Sequence, residues 1–213
     1  MPDRRESLAA MTAQGEPDLP IRERILLTLV VYSGVMSIYF AAGSIARPPL
    51  VVIETAIDRA IPFIPAAMLG YGLCYVVPIS LLWVETTRSG MHRLMRAAFL
   101  AYMMAAPFFL VMPVQDADPP LQSDGALAHL LVLNRLADES KNAFPSMHVG
   151  LATLLAFIGA RRSAAWGWAL GGAAVVIAAS TLLVKQHFIV DLAAGAIVGW
   201  LAYRIVYGRE EAT

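Results

Sequence analysis

The chain has 213 residues, of which 58% are hydrophobic and 15% are charged, and its mean hydropathy is +0.63. Soluble domains carry about 25% charged residues, so this composition predicts an integral membrane protein with one domain. The formal net charge is zero and no long basic run occurs, which argues against a nucleic-acid partner, and a single cysteine excludes an intrachain disulfide.

The chain begins with a polar segment. Residues 1–24 are mixed in charge and contain three prolines, which predicts a cytoplasmic tail. Ser44-Ile45-Ala46, at the end of the first apolar segment, resembles a signal-peptide cleavage site. The apolar run before it is longer than the roughly 7–15 residues of a signal core, so we expect an uncleaved anchor.

Six apolar segments follow the tail, and most of them reach the roughly 20 residues that a spanning helix needs. They lie at residues 25–46, 67–84, 94–113, 146–160, 164–184 and 187–207. The fourth is short by this standard and must take length from its flanks. The sequence therefore predicts an all-α integral membrane protein with six transmembrane helices over residues 25–207, followed by a cytoplasmic C-terminal tail at 208–213.

Two connecting segments are too polar to span a membrane. Residues 48–66 hold four prolines around Glu54, Asp58 and Arg59, which predicts an interfacial segment after helix 1. Residues 115–144 form a long outer loop between helices 3 and 4. A loop of this length is longer than a simple connection needs, so we expect it to be functional.

The Lys and Arg residues are divided unequally between the two sides of the predicted bundle. With the N-terminus inside, 11 of them lie on the cytoplasmic side and 5 on the outer side. Because cytoplasmic loops carry an excess of Lys and Arg, this division predicts an N-in/C-in topology. We expect a multi-pass protein of a bacterial inner membrane, with His148 and His187 facing the periplasm or the exterior.

Small residues recur at helical spacing in two segments, as Gly167-x-x-x-Gly171 and Gly195-x-x-x-Gly199. Such spacing lets helix backbones approach closely. Packing within the bundle is the favoured interpretation, and a homodimer is the alternative.

An ionisable pair lies in the last apolar segment. A carboxylate in hydrocarbon costs roughly 2.5–3.5 kcal/mol, so Asp191 needs a reason to be there. His187 precedes it by four residues, a spacing that stacks both side chains on one helix face. The carboxylate can then hold one imidazole nitrogen and leave the other for chemistry.

A phosphoester reaction would use these residues in distinct roles. His187 is the candidate nucleophile, and Asp191 fixes its tautomer and stabilises the charged imidazolium. His148 is the candidate acid for the leaving alkoxide and later the base. Ser146, Met147 and the backbone N–H groups of residues 146–148 begin a predicted helix that favours phosphate, and Lys185 adds positive charge.

Other polar residues near the predicted site have two interpretations each. Arg135 and Lys141, in the outer loop, either bind substrate phosphate or are solvated. Asn142 is either a substrate contact or a helix cap, and the cap is favoured. We interpret His92 and His129 as interfacial residues.

A metal site is a further alternative for the His and Asp residues. His148, His187 and Asp191 could supply three ligands to zinc, but Lys185 repels a cation two residues from His187. We therefore expect neither a metal nor a cofactor.

Two segments carry a family resemblance. The chain reads Asn-Ala-Phe-Pro-Ser-Met-His from Asn142 to His148 and Ser-Thr-Leu-Leu-Val-Lys-Gln-His-Phe-Ile-Val-Asp from Ser180 to Asp191. These stretches resemble the second and third motifs of the type 2 phosphatidic acid phosphatase superfamily, which includes the vanadium haloperoxidases. With the stretch from Ala56 to Phe63, the wording is similar to the inositol-phosphorylceramide-synthase-like branch. The resemblance implies a six-helix membrane core, no metal and a phosphohistidine intermediate.

The chain also departs from the superfamily pattern. In the first motif six residues separate a Lys from Arg-Pro, but Phe40 stands at that position before Arg47-Pro48, so the first-motif ligands are unassigned. The third motif has an Arg where this chain has Thr181. Lys185 lies four residues later and is the candidate replacement, although a lysine is a point charge where an arginine is a bidentate fork.

The favoured function is a membrane lipid phosphatase that hydrolyses a lipid phosphate or diphosphate. The alternative is a phosphotransferase that moves a polar phosphate headgroup, such as an inositol phosphate, onto a lipid or sugar alcohol. A small transporter and an assembly factor fit less well, because the ionisable groups cluster at one face and no internal repeat occurs. A vanadate-dependent oxidase is disfavoured because it needs bound vanadate at a solvent-accessible site. The expected partners are membrane lipids and the lipid phosphate itself.

Overall fold

A computed structural model describes residues 16–46, 50–115, 117, 125–137 and 142–208. The described chain is helical, apart from isolated β-bridges. Its α-helices, in chain order, are α1 Ile21–Ile45, α2 Ala56–Ala60, α3 Met68–Tyr71, α4 Leu73–Val76, α5 Leu81–Val84, α6 Arg88–Val111, α7 Ala126–Ala137, α8 Met147–Arg162, α9 Ala164–Leu183 and α10 Ile189–Tyr207.

Five segments of the described chain are long and apolar enough to cross a membrane. They are Ile21–Ile45, Pro65–Val84, Arg88–Val111, Ala164–Leu183 and Ile189–Tyr207. The remaining predicted span is α8, which has 16 residues. At 1.5 Å per residue this helix is roughly 24 Å long, short of the roughly 30 Å hydrocarbon thickness. The all-helical membrane fold is therefore confirmed, and the sixth span remains a prediction.

The second span is broken into short pieces. Between Pro65 and Val84, 3₁₀ turns at Pro65–Ala67 and Val77–Ser80 alternate with α3, α4 and α5. Pro78 lacks an N–H for the helical ladder, which accounts for the second 3₁₀ turn. A Cβ added to Gly70 would lie 2.2 Å from Ser180 Oγ, so only glycine allows α3 to approach α9 so closely.

Helix α8 lies between α9 and α10 at the centre of the bundle. A Cβ added to Gly195 would lie 2.1 Å from the carbonyl oxygen of Ser146, and one added to Gly199 would lie 2.1 Å from that of Gly150. The prediction that Gly195-x-x-x-Gly199 serves packing within the bundle is thus confirmed. Gly167 likewise packs on Ala160, whereas no described atom lies within 4 Å of a Cβ added to Gly171.

The polar segments contain more structure than the sequence predicts. The predicted outer loop contains α7, whose Leu131 and Asn134 are buried. Polar stretches on both sides of this apolar run hide it in the sequence. The predicted interfacial segment contains α2, where Thr55 and Asp58 form a capping box.

The predicted N-terminal tail also extends too far. Helix α1 begins at Ile21 rather than at residue 25. The N–H of Leu19 donates to the carbonyl of Thr86 over 2.8 Å, and the carboxylate of Glu16 accepts from the N–H of Ser89. Residues 16–20 therefore pack against the start of α6, and residues 1–15 lie outside the described chain.

Candidate active site

The three predicted catalytic residues meet where α8 and α10 begin. His148 is in the first turn of α8, and Asp191 is in the first turn of α10. His187 lies before α10, in the connection 184–188, because α9 ends at Leu183 and Lys185 adopts a φ of 64°. The prediction that both residues of the His–Asp pair lie within one helix is therefore wrong for His187.

The carboxylate of Asp191 stabilises the start of α10. Its Oδ2 accepts from the N–H of Phe188 over 2.8 Å, which satisfies one of the free donors at the helix end. A carboxylate there also interacts favourably with the helix dipole. The same Oδ2 lies 3.4 Å from His187 Nδ1. The spacing of four residues thus brings the pair together across a helix start.

The site contains a row of four polar side chains. His187 Nε2 lies 3.0 Å from His148 Nδ1, and His148 Nε2 lies 2.7 Å from the hydroxyl of Tyr71. Asp191 and Tyr71 are fully buried and His187 is 6% exposed, whereas His148 is partly exposed. The row therefore runs Asp191, His187, His148, Tyr71, and its accessible member is His148.

Ser146 is engaged by the protein itself. Its side chain caps α8 by accepting from the N–H of Val149, and its own N–H donates to the carbonyl of Asp191 over 3.0 Å. Pro145 accordingly precedes the cap and does not occupy the first helical turn. Ser146 is fully buried and Met147 is 4% exposed, so neither of these predicted phosphate contacts presents its side chain at the surface.

Lys185 anchors the connection to α2. Its Nζ donates to the carbonyl oxygen of Asp58 over 2.6 Å. The Asp58 carboxylate accepts from the N–H of Ile189 over 2.8 Å and from the N–H and hydroxyl of Thr55. The predicted phosphate cation is thus part of a link between α2 and the start of α10.

The charge state of Asp58 follows from this link. Burial by itself raises the pKa of the carboxyl, but the hydrogen bonds from Thr55 and Ile189 and the positive charge of Lys185 outweigh it. The net result is a pKa below the usual range of an aspartate. Asp58 is therefore ionised at neutral pH, and its negative charge holds the connection in place.

Two other predicted residues are fixed in the interior. Asn142 does not cap a described helix, so that prediction is wrong; its Nδ2 donates to the carbonyl of Tyr39 over 2.7 Å. The backbone of Asn142 also forms an isolated β-bridge with Val114, so Asn142 is held beside the residues that follow α6. The Thr181 hydroxyl donates to the carbonyl of Ala178 and is fully buried.

Helix α7 is attached to the residue before His187. Asn134 accepts a hydrogen bond from the side chain of Gln186 and donates to the hydroxyl of Tyr75 over 2.6 Å. The guanidinium of the neighbouring Arg135 lies 5.9 Å from the ring centre of Phe63. Arg135 is therefore near the connection, while Lys141 lies outside the described residues.

The two histidines interpreted as interfacial are not in the row. His129 is exposed and its Nδ1 contacts the carbonyl of Gly125, the residue before α7. His92 lies in α6, near the end of the bundle opposite the site.

An apolar cavity of about 370 Å³ extends from His148 into the bundle. Helices α1, α6, α8 and α9 and the broken second span contribute to its walls. Its lining includes Met36, Phe40, Leu151, Leu155 and Ile177. A polar reacting group thus stands at the edge of a mainly apolar space.

The sequence does not identify Tyr71 or Asn134 as site residues. Both lie in apolar segments where a single polar residue is unremarkable, and Tyr71 is separated from His148 by 77 positions. Asp58 did carry a signal, because it lies within the stretch from Ala56 to Phe63 that resembles the superfamily.

Comparison with known proteins identifies a family for the chain. A family model described as the PAP2 superfamily matches residues 24–205, most of the chain. Neither a curated protein nor a solved structure matches the chain. The matched range includes all four members of the row.

Proposed function

The chain belongs to the PAP2 superfamily, and we propose that it is a membrane phosphatase that hydrolyses a lipid phosphate or diphosphate through a phosphohistidine. The observation that carries the proposal is the pairing of His148 Nδ1 with His187 Nε2 at 3.0 Å, at the edge of an apolar cavity. Superfamily membership supports phosphatase-type chemistry, and the cavity supports a lipid substrate.

In the first step His187 attacks phosphorus. A bond forms between His187 Nε2 and phosphorus while the bond to the lipid oxygen breaks, and the Nδ1 proton of protonated His148 passes to that oxygen. Asp191 balances the charge that develops on the His187 ring. A near-attack geometry needs about 3–3.5 Å between reacting atoms, so the two rings must separate to admit the phosphoryl group.

In the second step water takes the place of the lipid alcohol. Neutral His148 accepts a proton from water at Nδ1, the water oxygen attacks phosphorus, and the bond to His187 Nε2 breaks. Inorganic phosphate leaves, and His148 is protonated again for the next substrate.

The cavity favours a lipid over a soluble phosphate ester. A hydrocarbon tail that is already in the bilayer gains no hydrophobic energy on entering the cavity, but the mainly apolar lining can hold it without burying unpaired polar groups. A soluble ester without a tail would leave this apolar space beside His148 unfilled.

The alternative is transfer to an alcohol, and α7 is the feature that favours it. In the reverse direction, an alcohol oxygen can attack phosphorus from the same position that the lipid alkoxide leaves. Asn134 holds α7 to Gln186, next to His187, and a helix at that place can limit the access of water.

The test is a panel of lipid phosphates with purified protein and labelled phosphorus. We expect acid-labile label on the protein during turnover and inorganic phosphate as the product, with His187→Ala abolishing both. His129→Ala is the matched control, because His129 is exposed and contacts the carbonyl of Gly125 rather than the row. Label that passes mostly to an added lipid or polyol would select the transferase, and normal turnover by folded His187→Ala protein would refute the mechanism.

We also propose that the row faces the periplasm or the exterior, in an N-in/C-in protein. The unequal division of Lys and Arg supports this orientation. In a Cys74→Ser background, His129→Cys in α7 should react with an impermeant thiol reagent in intact cells. Ser163→Cys, between α8 and α9, should not react. The opposite labelling pattern would place the site in the cytoplasm.

A further inference from the structure

Tyr71 contacts the candidate acid directly. Its hydroxyl lies 2.7 Å from His148 Nε2, and the two ring centres are 5.0 Å apart. This distance is typical of a well-formed hydrogen bond. The tyrosine therefore occupies the nitrogen of His148 that faces away from His187.

The directions of the hydrogen bonds follow from the proposed attack by His187. To act as the nucleophile, His187 Nε2 must be unprotonated, so it is the acceptor in the contact with His148. The contact of 3.0 Å then requires His148 to carry its proton on Nδ1. His148 Nε2 is left as an acceptor, and the Tyr71 hydroxyl donates to it.

During the reaction the Tyr71 hydroxyl changes from hydrogen-bond donor to acceptor. Protonated His148 carries protons on both nitrogens, so Nε2–H donates to the oxygen of Tyr71. When Nδ1 gives its proton to the leaving alkoxide, the proton on Nε2 remains with Tyr71 as its acceptor. Nδ1 is then the deprotonated nitrogen that can accept a proton from water.

We propose that Tyr71 is a positioning residue that holds Nε2 of His148 in both protonation states, so that Nδ1 gives and takes the proton. This inference rests on the proposed function. A hydroxyl suits the task because it both donates and accepts, whereas phenylalanine does neither.

The packing around α3 keeps the hydroxyl in place. Tyr71 is fully buried, and its ring makes an edge contact with Tyr75 at 6.1 Å. The neighbouring Gly70 lies against Ser180 of α9, where an added Cβ would be 2.2 Å from the serine oxygen. The position of the hydroxyl is thus set by the approach of α3 to α9.

The test compares two phosphate monoesters with equal alkyl tails. One leaves as an aliphatic alcohol, which needs a proton, and the other as a nitrophenol, which leaves without one. Single-turnover release of the leaving group isolates the first step. Tyr71→Phe should slow release of the aliphatic alcohol by about tenfold or more and release of the nitrophenol by less than threefold.

Tyr203→Phe is the control for removing a buried tyrosine hydroxyl, since Tyr203 stacks on Phe157 and Tyr207 away from the site. It should change both rates equally, if at all. Equal slowing of both esters by Tyr71→Phe would assign Tyr71 a merely structural role and overturn the proposal. If the parent protein cleaves neither ester, the proposed function fails instead.

A second measurement does not depend on activity or on the variant. Nitrogen-15 NMR of histidine-labelled parent protein reports which nitrogen of neutral His148 carries the proton. Without added substrate we expect the proton on Nδ1, with Nε2 as the acceptor. A proton on Nε2 of neutral His148 would contradict the hydrogen-bond directions and with them the role of Tyr71.

Discussion

Two carboxylates outside the membrane-spanning segments, at opposite ends of the bundle, have pKa values shifted in opposite directions although burial raises both. Asp58, beside the candidate site, accepts hydrogen bonds from Thr55 and Ile189, and its pKa is lowered. Glu85, at the far end of α5, accepts from the hydroxyl of Tyr207 over 3.2 Å. There burial outweighs that hydrogen bond and the nearby arginines, and the pKa of Glu85 is raised.

The difference reflects how the donors are arranged. Backbone N–H groups at a helix start are fixed and point at the Asp58 carboxylate, so they stabilise its charge without reorganisation. The positive charges near Glu85 include Arg93 and Arg161, whose guanidinium groups lie over the ring of Tyr207 at 5.8 and 5.5 Å. At the site end the charge of Asp58 therefore holds backbone N–H groups in place. At the far end the hydrogen bond and the arginines do not fully offset the cost of burying the charge of Glu85.

The largest expected effect is the loss of catalysis at the site end. His187→Ala and His148→Ala should each lower turnover by at least about 10²-fold, and Asp191→Asn nearly as much, because each removes a group that handles charge or a proton. Phosphate release from a lipid phosphate measures the effect. His92→Ala, at the far end, should retain parental turnover, and a comparable loss there would remove the contrast between the two ends.

The next effect concerns the close approach that positions the site. Gly195→Ala places a Cβ 2.1 Å from the carbonyl oxygen of Ser146, so α10 must move away from the start of α8. We expect about 1–3 kcal/mol of destabilisation together with reduced turnover. The matched control is Gly171→Ala, where no described atom lies within 4 Å of the added Cβ.

Thermal unfolding in detergent and turnover measure both glycine variants. Gly171→Ala should be neutral or stabilising by up to about 1 kcal/mol, because alanine favours helix over glycine. Equal effects of the two substitutions would show that the contact between α8 and α10 does not position His148.

A smaller effect is expected for Asp58→Asn, which turns an amide NH₂ toward the N–H groups of Thr55 or Ile189, which only donate. It should cost about 1–3 kcal/mol at neutral pH. Because the folded pKa is lowered, the stabilisation by the carboxylate is present above the unfolded pKa of about 3.9 and is lost as pH falls through the folded pKa. The difference in Tm between parent and variant should therefore shrink as pH falls below about 4. A difference independent of pH would contradict this account.

The smallest effect is expected for Glu85→Gln. Glutamine keeps an acceptor for Tyr207 and removes the charge that burial disfavours. Because the folded pKa is raised, stability is highest below the unfolded pKa of about 4.3 and falls as pH rises through the folded pKa. The variant should be more stable than the parent by less than about 1 kcal/mol at neutral pH and equal to it near pH 4. A lower Tm of the variant at neutral pH would reverse the comparison.

The parts of the fold that the sequence predicts are those encoded locally. Runs of about 20 apolar residues mark the five membrane-spanning candidates, and the spacing of Gly195 and Gly199 marks a packing face. The breaks within the second span and the presence of α7 are harder to see in the sequence. Short helices flanked by prolines or polar residues lack a long apolar signature. Asn142 resembles a helix cap in the sequence, but a contact with Tyr39 of α1 decides its place.

The five apolar helices and the pairing of His187 with Asp191 follow from the order of the residues, since apolar runs and a spacing of four act through the local backbone. The contact of Tyr71 with His148 and the hydrogen bond from Lys185 to Asp58 depend instead on how the helices pack, because these pairs are 77 and 127 positions apart. Helix periodicity shows which residues share a face but not which faces meet. The meeting of faces depends on close approaches such as that of Gly70 to Ser180.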